Sequence, residues 1–445
     1  MKPVYQLVTD AILILVILVF LAQTNITNST ATSPQRFATQ LIHYDSILSP
    51  FYNASATITD RATQAHKRSI SRLSYLNATT MVGTPDDIRG VITAPSSGAF
   101  LVSMLIGQPG VQQFLVLDTG SSITWVSCFP CIGCNSIHPI FNPSQSLTYY
   151  ALPCNHDPYC AANCDHQRNW CTYSESYMDG TSNSGNFATE KLTFVIPHVG
   201  ATIASNIFFG CGRVVNEPRL EISGVMGLGY GGTSVVTQIG TKFSYCIGSV
   251  RDPYYLLNRL IIGSGANMIG KLTPLDLHNS YYYLTLESIS VGHRDLPINP
   301  RVFQRTPQGD RGVLIDSGSE WTFLIREAYI PLKNTVQHII ARYVAPATFA
   351  NQPTWLCYYG VASRDLVGFP TVRFNFNGGA NFSLGIQNLF QAVTNRIFCL
   401  NMAEANGKTP RDVSVIGVIA QQSHNIGYDL SARMLSIDQT DCRTI

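Results

Sequence analysis

The sequence predicts a mostly β protein built from two similar lobes, and three observations carry this prediction. An apolar run stops at an Asp and turns through Gly twice, at Asp118 and again at Asp316. Strand-like runs and Gly-rich turns recur along the 445 residues, whereas helical periodicity is scarce. A chain of this length exceeds one ordinary core, so we expect two lobes with accessory segments.

The first 24 residues are predicted to be a signal peptide. Lys2 precedes an apolar run over residues 11–22, which has the length of a signal-peptide core and is short for a membrane span. We therefore expect a secreted protein. The alternative is an uncleaved anchor, the one case in which we expect a membrane as a partner.

Residues 25–92 differ in amino-acid composition from the rest of the chain. They contain no Cys, and residues 61–76 form a basic, amphipathic stretch. We interpret residues 25–92 as a propeptide, with a flexible linker as the alternative. Asn-X-Ser/Thr triplets agree with secretion, and the glycosylation candidates are Asn53, Asn77 and Asn381.

The two lobes are predicted to span residues 93–268 and 269–445. One surface helix is predicted at residues 326–342, where apolar residues recur with helical spacing. From their β-branched and aromatic residues, strands are predicted at residues 193–196, 281–286 and 371–376.

Charge is sparse and balanced. Charged residues make up only 13% of the chain, and the formal net charge is +2. No basic stripe is present, so we exclude nucleic acid as a partner. Low charge also limits self-repulsion when carboxylates take up protons, which suits a protein that works in acid.

The twelve Cys residues indicate disulfide bonds. An even, clustered set in a secreted chain is best explained by pairing. The first three have a Cys-X2-Cys-X2-Cys spacing that also suits zinc or an iron–sulfur cluster, with His residues nearby. We favour disulfides and predict no metal and no cofactor. The twelve are Cys128, Cys131, Cys134, Cys154, Cys160, Cys164, Cys171, Cys211, Cys246, Cys357, Cys399 and Cys442.

Asp118 and Asp316 are the candidate catalytic residues. Each lies where an apolar strand ends and a Gly turn begins, so each lobe delivers one carboxylate at a strand end. Two carboxylates brought close together cannot both ionise, so they share a proton and divide into an acid and a base. Such a pair activates a water for attack on a peptide carbonyl without a metal, Ser or Cys.

Each Asp turn is matched further along the chain by two apolar residues and Gly, in Val225-Met226-Gly227 and Val415-Ile416-Gly417. This half-repeat resembles that of pepsin-like aspartic proteases, and in particular their plant nepenthesin-like branch, over residues 98–445. The resemblance implies a bilobal pepsin-like fold with two pseudo-twofold-related β lobes, a central cleft, a monomer, and a protein or peptide substrate. It also implies an extracellular location in the apoplast, with the vacuole as the alternative.

The resemblance assigns catalytic support to three residues after each Asp. The glycines would let the two turns approach each other closely. The hydroxyls next to each Asp would bond across to the backbone of the opposite turn, and the outer serines would donate to the carboxylates and favour their ionised form. These residues are Thr119, Gly120 and Ser121 in the first turn, and Ser317, Gly318 and Ser319 in the second.

Three further residues are expected to bind substrate. Tyr177 resembles the Tyr of the hairpin, or flap, that closes over the substrate, where it would bond Trp125; Tyr173 is a competing candidate. Glu320 stands where plant relatives commonly carry Thr or Ser, at a position that contacts the substrate a few residues before the cut. We expect Glu320 to favour a basic or polar residue there, with a solvated Glu at the cleft rim as the alternative.

Residues 68–72 resemble part of the prosegment of nepenthesin-like zymogens. A basic propeptide over an anionic cleft would act as an intramolecular inhibitor at neutral pH and leave in acid. The resemblance also implies the disulfides Cys128–Cys131, Cys134–Cys211, Cys154–Cys171, Cys160–Cys164, Cys246–Cys442 and Cys357–Cys399.

The sequence therefore predicts a secreted aspartic endopeptidase that works at acidic pH. The alternative is a catalytically weak or inactive binding or inhibitor protein on the same scaffold. Such relatives typically lose a catalytic Asp or its Gly, and both motifs are intact here. Val418 replaces the polar residue that the family usually carries after Gly417, which keeps the alternative open.

Overall fold

Strands dominate the part of the chain that the structure describes. In this computed structural model the described residues are 35–79, 99–134, 139–155, 160, 163–176, 182–197, 199–216, 223–306, 311–405 and 413–445. Residues 36–445 form one compact unit. The predicted signal peptide and Tyr177 lie outside the described residues, within which no helix has the length and apolar character needed to span a bilayer. The prediction of a mostly β fold is confirmed.

The first strand, β1 (Phe37–His43), belongs to the predicted propeptide. The predicted strand at residues 193–196 is the end of a longer strand, β8. The strands of the first half are β2 (Phe100–Ile106), β3 (Val111–Asp118), β4 (Trp125–Ile132), β5 (Tyr150–Ala151), β6 (Cys164–Asp165), β7 (Trp170–Ser176), β8 (Ser182–Ile196), β9 (Gly200–Asn216), β10 (Gly224–Gly227), β11 (Lys242–Ile247) and β12 (Arg259–Ile262).

In the second half, the strand predicted at residues 281–286 is divided at Thr285 into β14 and β15, and the one predicted at 371–376 is β21. The strands here are β13 (Lys271–His278), β14 (Tyr281–Leu284), β15 (Leu286–Val291), β16 (Arg294–Asp295), β17 (Val313–Ile315), β18 (Thr322–Leu324), β19 (Pro346–Ala347), β20 (Cys357–Tyr359), β21 (Val372–Phe376), β22 (Asn381–Leu384), β23 (Phe390–Thr394), β24 (Ile397–Leu400), β25 (Met402–Glu404), β26 (Ser414–Ile416), β27 (His424–Asp429) and β28 (Met434–Gln439).

Helices are few, and the surface helix predicted at residues 326–342 is confirmed as α3. Its buried positions include Ala328, Leu332, Val336 and Ile340, which recur every four residues and so share one face. The α-helices are α1 (Ile58–Thr79), α2 (Val235–Ile239), α3 (Arg326–Ile340), α4 (Ala362–Asp365), α5 (Ile386–Leu389) and α6 (Val418–Gln421); 3-10 turns lie at Pro143–Gln145, Pro300–Phe303, Asn377–Gly379 and Cys442–Thr444.

The two halves and the predicted propeptide share one extended sheet. Strand β11 of the first half pairs antiparallel with β27 of the second, and β13 pairs with β28. Strand β1 pairs antiparallel with β12 at one end and with β2 at the other. The predicted propeptide is therefore part of the folded body, because its backbone supplies hydrogen bonds that the sheet would otherwise lack.

Helix α1, also in the predicted propeptide, runs from the second lobe into the main core. At its start, the Thr59 hydroxyl donates to the carbonyl of Val393 in β23 at 2.6 Å. Near its end, Leu73 and Leu76 are buried in the large hydrophobic core. Between these ends, Arg72 contacts both Asp turns.

All twelve Cys residues are paired, so the disulfide prediction is confirmed, but four of the six pairings were wrong. The two long-range bonds, Cys246–Cys442 and Cys357–Cys399, are as expected. The observed bonds in the Cys-rich part of the first lobe are Cys128–Cys211, Cys131–Cys134, Cys154–Cys164 and Cys160–Cys171.

Strand register explains the first correction. Strands β4 and β9 are parallel neighbours, and Val126 lies opposite Cys211. The buried Cys128, two residues further along β4, is thus 5.4 Å from Cys211 between Cα atoms. Cys131 lies beyond the buried part of β4 and pairs with Cys134, three positions away.

Burial explains the second correction. Cys164 and Cys171 face each other across the β6–β7 hairpin but do not bond to each other. Cys171 and Cys160 are both buried and pair, whereas Cys164 and Cys154 are both half-buried and pair. Each Cys is therefore bonded to a partner that is buried to a similar extent.

Candidate active site

The two candidate catalytic residues occupy equivalent places in the two lobes. Asp118 is the last residue of β3, and Asp316 immediately follows β17. Strand β10 runs parallel to β3, with Gly227 opposite Asp118, and β26 runs parallel to β17, with Ile416 opposite Ile315. Both side chains are buried, with exposed fractions of 1% and 2%.

Each Asp turn is held by the later Gly-containing segment. The Leu228 amide donates to the Asp118 carbonyl at 2.7 Å, and the Val418 amide donates to the Ser319 carbonyl at 2.8 Å. Because the backbones cross so closely, a Cβ at Gly227 would lie 2.6 Å from the Ile123 carbonyl. A Cβ at Gly417 would similarly collide with the Trp321 carbonyl, so both positions require Gly.

A second pair of matching contacts supports the turns. Thr124 Oγ1 accepts a hydrogen bond from the Gly227 amide at 3.1 Å, and Thr322 Oγ1 accepts one from the Gly417 amide at 3.2 Å. Val418 is buried, and the polar support expected at its position comes instead from Gln421. The Gln421 amide group donates to the Asp316 and Ile416 carbonyls at 3.3 and 2.8 Å.

The hydroxyls beside the Asp residues cross between the lobes. Thr119 Oγ1 accepts a hydrogen bond from the Ser317 amide at 3.0 Å, and Ser317 Oγ accepts one from the Thr119 amide at 3.2 Å. Ser317 Oγ also donates to the Leu117 carbonyl at 3.4 Å. These reciprocal bonds tie the two turns together and bring the carboxylates side by side.

One guanidinium joins the two carboxylates. Arg72 of α1 places Nη2 2.6 Å from Asp118 Oδ1 and 2.6 Å from Asp316 Oδ1, so these two oxygens are no further apart than twice that distance. Its Nε donates to Asp316 Oδ2 at 2.7 Å. Arg72 is only 1% exposed, so this is a buried, hydrogen-bonded ion cluster shared by α1 and both lobes.

The glycines of the two turns make room for this guanidinium. A Cβ at Gly318 would lie 2.8 Å from Cζ of Arg72, and a Cβ at Gly120 would collide with its Nη2. The sequence led us to expect that these glycines permit the two turns to approach each other. The group that comes close is instead the guanidinium of Arg72, which lies directly against both glycines. It covers the two carboxylates, which we call the dyad.

The expected contacts of the outer serines are absent from the described residues. Ser319 donates to the Trp321 carbonyl at 2.9 Å, and the buried Ser121 Oγ has no hydrogen-bond partner there. The carboxylates receive their donors from Arg72 and from the Gly120 amide, 2.9 Å from Asp118 Oδ1. Within the described residues, the expectation that both serines donate to the Asp residues was wrong.

Glu320 is buried rather than solvated, with an exposed fraction of 4%. Its Oε1 accepts hydrogen bonds from Nε and Nη2 of Arg68, the Nε bond being 3.1 Å long, and its Oε2 lies 3.7 Å from Nε2 of His43. Burial acts to raise the pKa of Glu320, but Arg68 and His43 outweigh it and lower the pKa to about 2. Glu320 is therefore ionised throughout the mildly acidic range in this state.

The backbone at Glu320 also contacts helix α1. Ser69 Oγ accepts hydrogen bonds from the amides of Glu320 and Trp321 at 3.1 and 3.2 Å. Trp321 and Trp355 each pack edge-on against His66, with ring centroids 4.6 Å apart, and the two indoles also contact each other at 4.7 Å. Burial against these two indoles lowers the pKa of His66 to about 4.

The predicted flap residue Tyr177 lies outside the described residues, so its bond to Trp125 stays a prediction. Trp125 itself is fully buried, and its Nε1 has no hydrogen-bond partner among the described residues. Tyr173, the competing candidate, stacks on Phe187 with ring centroids 4.9 Å apart and accepts a hydrogen bond from Asn183. Tyr173 is a core residue of the first lobe and is not a flap residue.

One group of Cys and His residues in the described part of the first lobe has the spacing of a metal site. Cys154, Cys164 and His166 are close enough to share a metal, but the two Cys residues are joined in a disulfide and offer no thiolate.

The three glycosylation candidates differ in exposure. Asn53 is exposed and Asn381 half-buried, while the side chain of Asn77 is outside what the structure describes. Glycosylation at all three stays a prediction.

Sequence reasoning missed the individual propeptide contacts. Arg68 and Arg72 were predicted to belong to a basic stretch and to a segment that resembles nepenthesin-like prosegments, but no partner was predicted for either, and His66 was not considered. The available signal was their spacing, because residues four apart on a helix share a face, and two basic residues on one face match two acidic groups in a cleft.

The chain matches two family models, described as "Xylanase inhibitor N-terminal" over residues 100–264 and "Xylanase inhibitor C-terminal" over residues 281–439. A probable aspartic protease of Arabidopsis thaliana is 32% identical and covers 96% of this chain and 98% of its own. Nepenthesin-1 of Nepenthes gracilis is 30% identical, with 96% of each chain covered.

Solved structures agree in fold. The structure named edgp has a TM-score of 0.64 at 13% identity and covers 92% of this chain and 96% of its own. Basic 7S globulin from soybean has a TM-score of 0.59 at 17% identity, covering 77% and 93%. At 13% and 17% identity, the solved structures show only that the bilobal fold is shared. The family is shown by the two relatives that are 32% and 30% identical over nearly the whole chain. The chain belongs to the plant, nepenthesin-like branch of the pepsin-like aspartic proteases.

Proposed function

We propose that the protein is a secreted aspartic endopeptidase, made as a zymogen, that hydrolyses peptide bonds at acidic pH through Asp118 and Asp316. The observation that carries the proposal is the meeting of one buried carboxylate from each lobe at a single guanidinium nitrogen of Arg72. Membership of the aspartic protease family supports the same reaction class.

In the mature enzyme a water would take the place of the guanidinium. The ionised carboxylate removes a proton from this water as it attacks the scissile carbonyl, and the protonated carboxyl group donates a hydrogen bond to the carbonyl oxygen. A proton then passes to the leaving nitrogen as the bond breaks. The Thr119–Ser317 cross-links would hold the two carboxyl groups in place during these steps.

In the zymogen, Arg72 prevents this chemistry in two ways. It fills the space over Gly120 and Gly318, and it pairs with the oxygens that would hold the water. Protonation of either carboxylate removes one charged partner of a buried cation, which weakens the cluster. Acid therefore favours release of the propeptide and activity together.

The second candidate function is a binding or inhibitor protein on the same fold. The descriptions of the matching family models favour it, since they name xylanase inhibitors. Against it stand both Asp residues, both adjacent glycines and the matching cross-links, which a purely binding protein has no need to keep.

Acidification of the full-length precursor tests the proposal. At pH values of about 3 to 5, the protein should cleave a denatured protein substrate, and pepstatin should block the cleavage. The Asp118→Asn variant should be inactive under the same conditions. A folded, propeptide-free protein that cleaves nothing would favour the binding function instead.

A further inference from the structure

Glu320 has a role beyond the dyad chemistry, and this inference rests on the proposed function. We infer that, in the mature enzyme, Glu320 forms a cleft site for the cationic side chain of an Arg or Lys in the substrate, and that Arg68 of the propeptide occupies this site in the zymogen. The substrate class is therefore peptides with a basic residue near the scissile bond.

Within the described residues, both ion-pair partners of the Glu320 carboxylate leave with the propeptide. Arg68 lies on α1 and His43 on β1, and both elements belong to residues 25–92. Once they leave, the carboxylate keeps its place in the second lobe without a paired cation. A buried carboxylate in this condition favours any ligand that restores the pair.

One cation of the mature lobes also acts on Glu320. Arg251 is coupled to it electrostatically, but its guanidinium donates to the Phe390 carbonyl and forms no ion pair with Glu320 within the described residues. Burial lowers the pKa of Arg251 to about 9, with Glu320 opposing that effect. Arg251 therefore adds positive potential near the site and leaves both Glu320 oxygens open to a ligand.

The site lies next to the dyad along the cleft. Arg68 and Arg72 are four residues apart on α1, and a helix rises about 1.5 Å per residue, so the two contacts are separated by about 6 Å along the helix axis. An extended peptide rises about 3.3 Å per residue. A chain whose scissile bond lies at Arg72's place would therefore bring a residue about two positions away to Glu320.

The backbone beside Glu320 offers an anchor for such a peptide. Ser69 Oγ accepts hydrogen bonds from the amides of Glu320 and Trp321, and stands where the carbonyl oxygen of a bound peptide would accept them. When Ser69 leaves, two buried N–H donors and one carboxylate face the same space. Together they fit a peptide carbonyl and a nearby cationic side chain.

Substitution of Glu320 by Gln tests the site, because it removes the charge and keeps the shape. Propeptide-free enzyme is presented with peptides that carry Arg, Lys or the uncharged norleucine at each of several positions on both sides of the cut. Wild-type enzyme should prefer Arg to norleucine at one position by about tenfold or more in kcat/KM. The Glu320→Gln variant should lose this preference at that position alone.

Glu327→Gln is the matched control, since Glu327 is exposed in the first turn of α3 and should leave the preference unchanged. Because loss of the Arg68 pair could disturb folding of the precursor, an Arg68→Glu, Glu320→Lys double variant retains a pair of opposite charges. Its mature form should prefer acidic residues at the same position.

Failure of the inference is distinct from failure of the proposed function. Wild-type enzyme that cleaves the library without any preference for basic residues, or a Glu320→Gln variant that keeps the preference, overturns the Glu320 site and leaves proteolysis intact. Wild-type protein that cleaves no peptide at any pH refutes the proposed function itself.

Discussion

Replacement of Arg72 by Met should expose the dyad in the uncleaved precursor. Met has a similar length but no charge, so the variant loses the bonds of Nη2 to both Asp residues at 2.6 Å and of Nε to Asp316 at 2.7 Å. Leu73 and Leu76 would still pack in the core beside it, so we expect α1 to form. The change therefore weakens the closed state and leaves the fold in place.

The magnitude follows from the burial of the cluster. Breaking a buried ion pair by removing one partner costs about 3–5 kcal/mol, which corresponds to a factor of about 10² to 5 × 10³ in the ratio of open to closed precursor. Apparent affinity for a cleft ligand rises in proportion to the open fraction until that fraction approaches one.

Pepstatin binding to the full-length precursor at neutral pH measures this ratio. The Arg72→Met precursor should bind pepstatin about 10² to 5 × 10³ times more tightly than wild type, limited by the affinity of the mature enzyme. Lys67→Met is the matched control, because Lys67 is an exposed cation on the same helix, and it should bind as wild type does. An Arg72→Met precursor that binds pepstatin as weakly as wild type would refute the assignment of Arg72 as the residue that closes the active site in the precursor.

Two further predictions concern pH and stability. Between pH 6.5 and about 4 the released propeptide binds more protons at His66 than the docked one, so acid should weaken docking by about 2 kcal/mol after allowance for partial exposure. His66→Phe should therefore move the pH midpoint of precursor activation lower, and an unchanged midpoint would exclude His66 as a contributor. Removal of Cys246–Cys442, which joins residues 196 positions apart, should lower the free energy of unfolding by about 3–5 kcal/mol in denaturant titrations. Removal of Cys131–Cys134, three positions apart, should cost clearly less; equal losses would contradict the loop-closure argument.

The dyad could be predicted from the sequence because its determinants are local. An apolar strand, an Asp and a Gly turn are read from a few adjacent residues, and their repetition supplies the second half. The cross-links of Thr119 and Ser317 follow from the same repetition, since equivalent residues in two facing turns meet at the pseudo-twofold axis.

The propeptide contacts depend on tertiary placement. The basic stretch is visible in the sequence, but which of its cations reaches the dyad depends on where α1 crosses the cleft. That crossing is set by the anchoring of Thr59 on β23 and of Leu76 in the core. The same crossing overturned the expected roles of Ser121 and Ser319, because Arg72 supplies the donors that the carboxylates need.

The disulfide pairings failed for a similar reason. Cys128 reaches Cys211 because β4 and β9 are parallel neighbours with a defined register, and the choice between Cys160 and Cys154 as partner of Cys171 depends on depth. Neither register nor depth can be obtained from Cys spacing. The long-range pair Cys246–Cys442 was inferred correctly from the family resemblance.

A double-mutant cycle on the dyad tests the central claim most directly. Asp118→Asn, Asp316→Asn and the double variant would be prepared with an engineered cleavage site in residues 83–98, so that inactive variants also lose the propeptide. If the carboxyl groups act as one unit, each single variant should lose about 10³-fold or more in kcat/KM, and the double variant should be no worse. Losses that add in the double variant, or a single variant that stays active, would contradict the account.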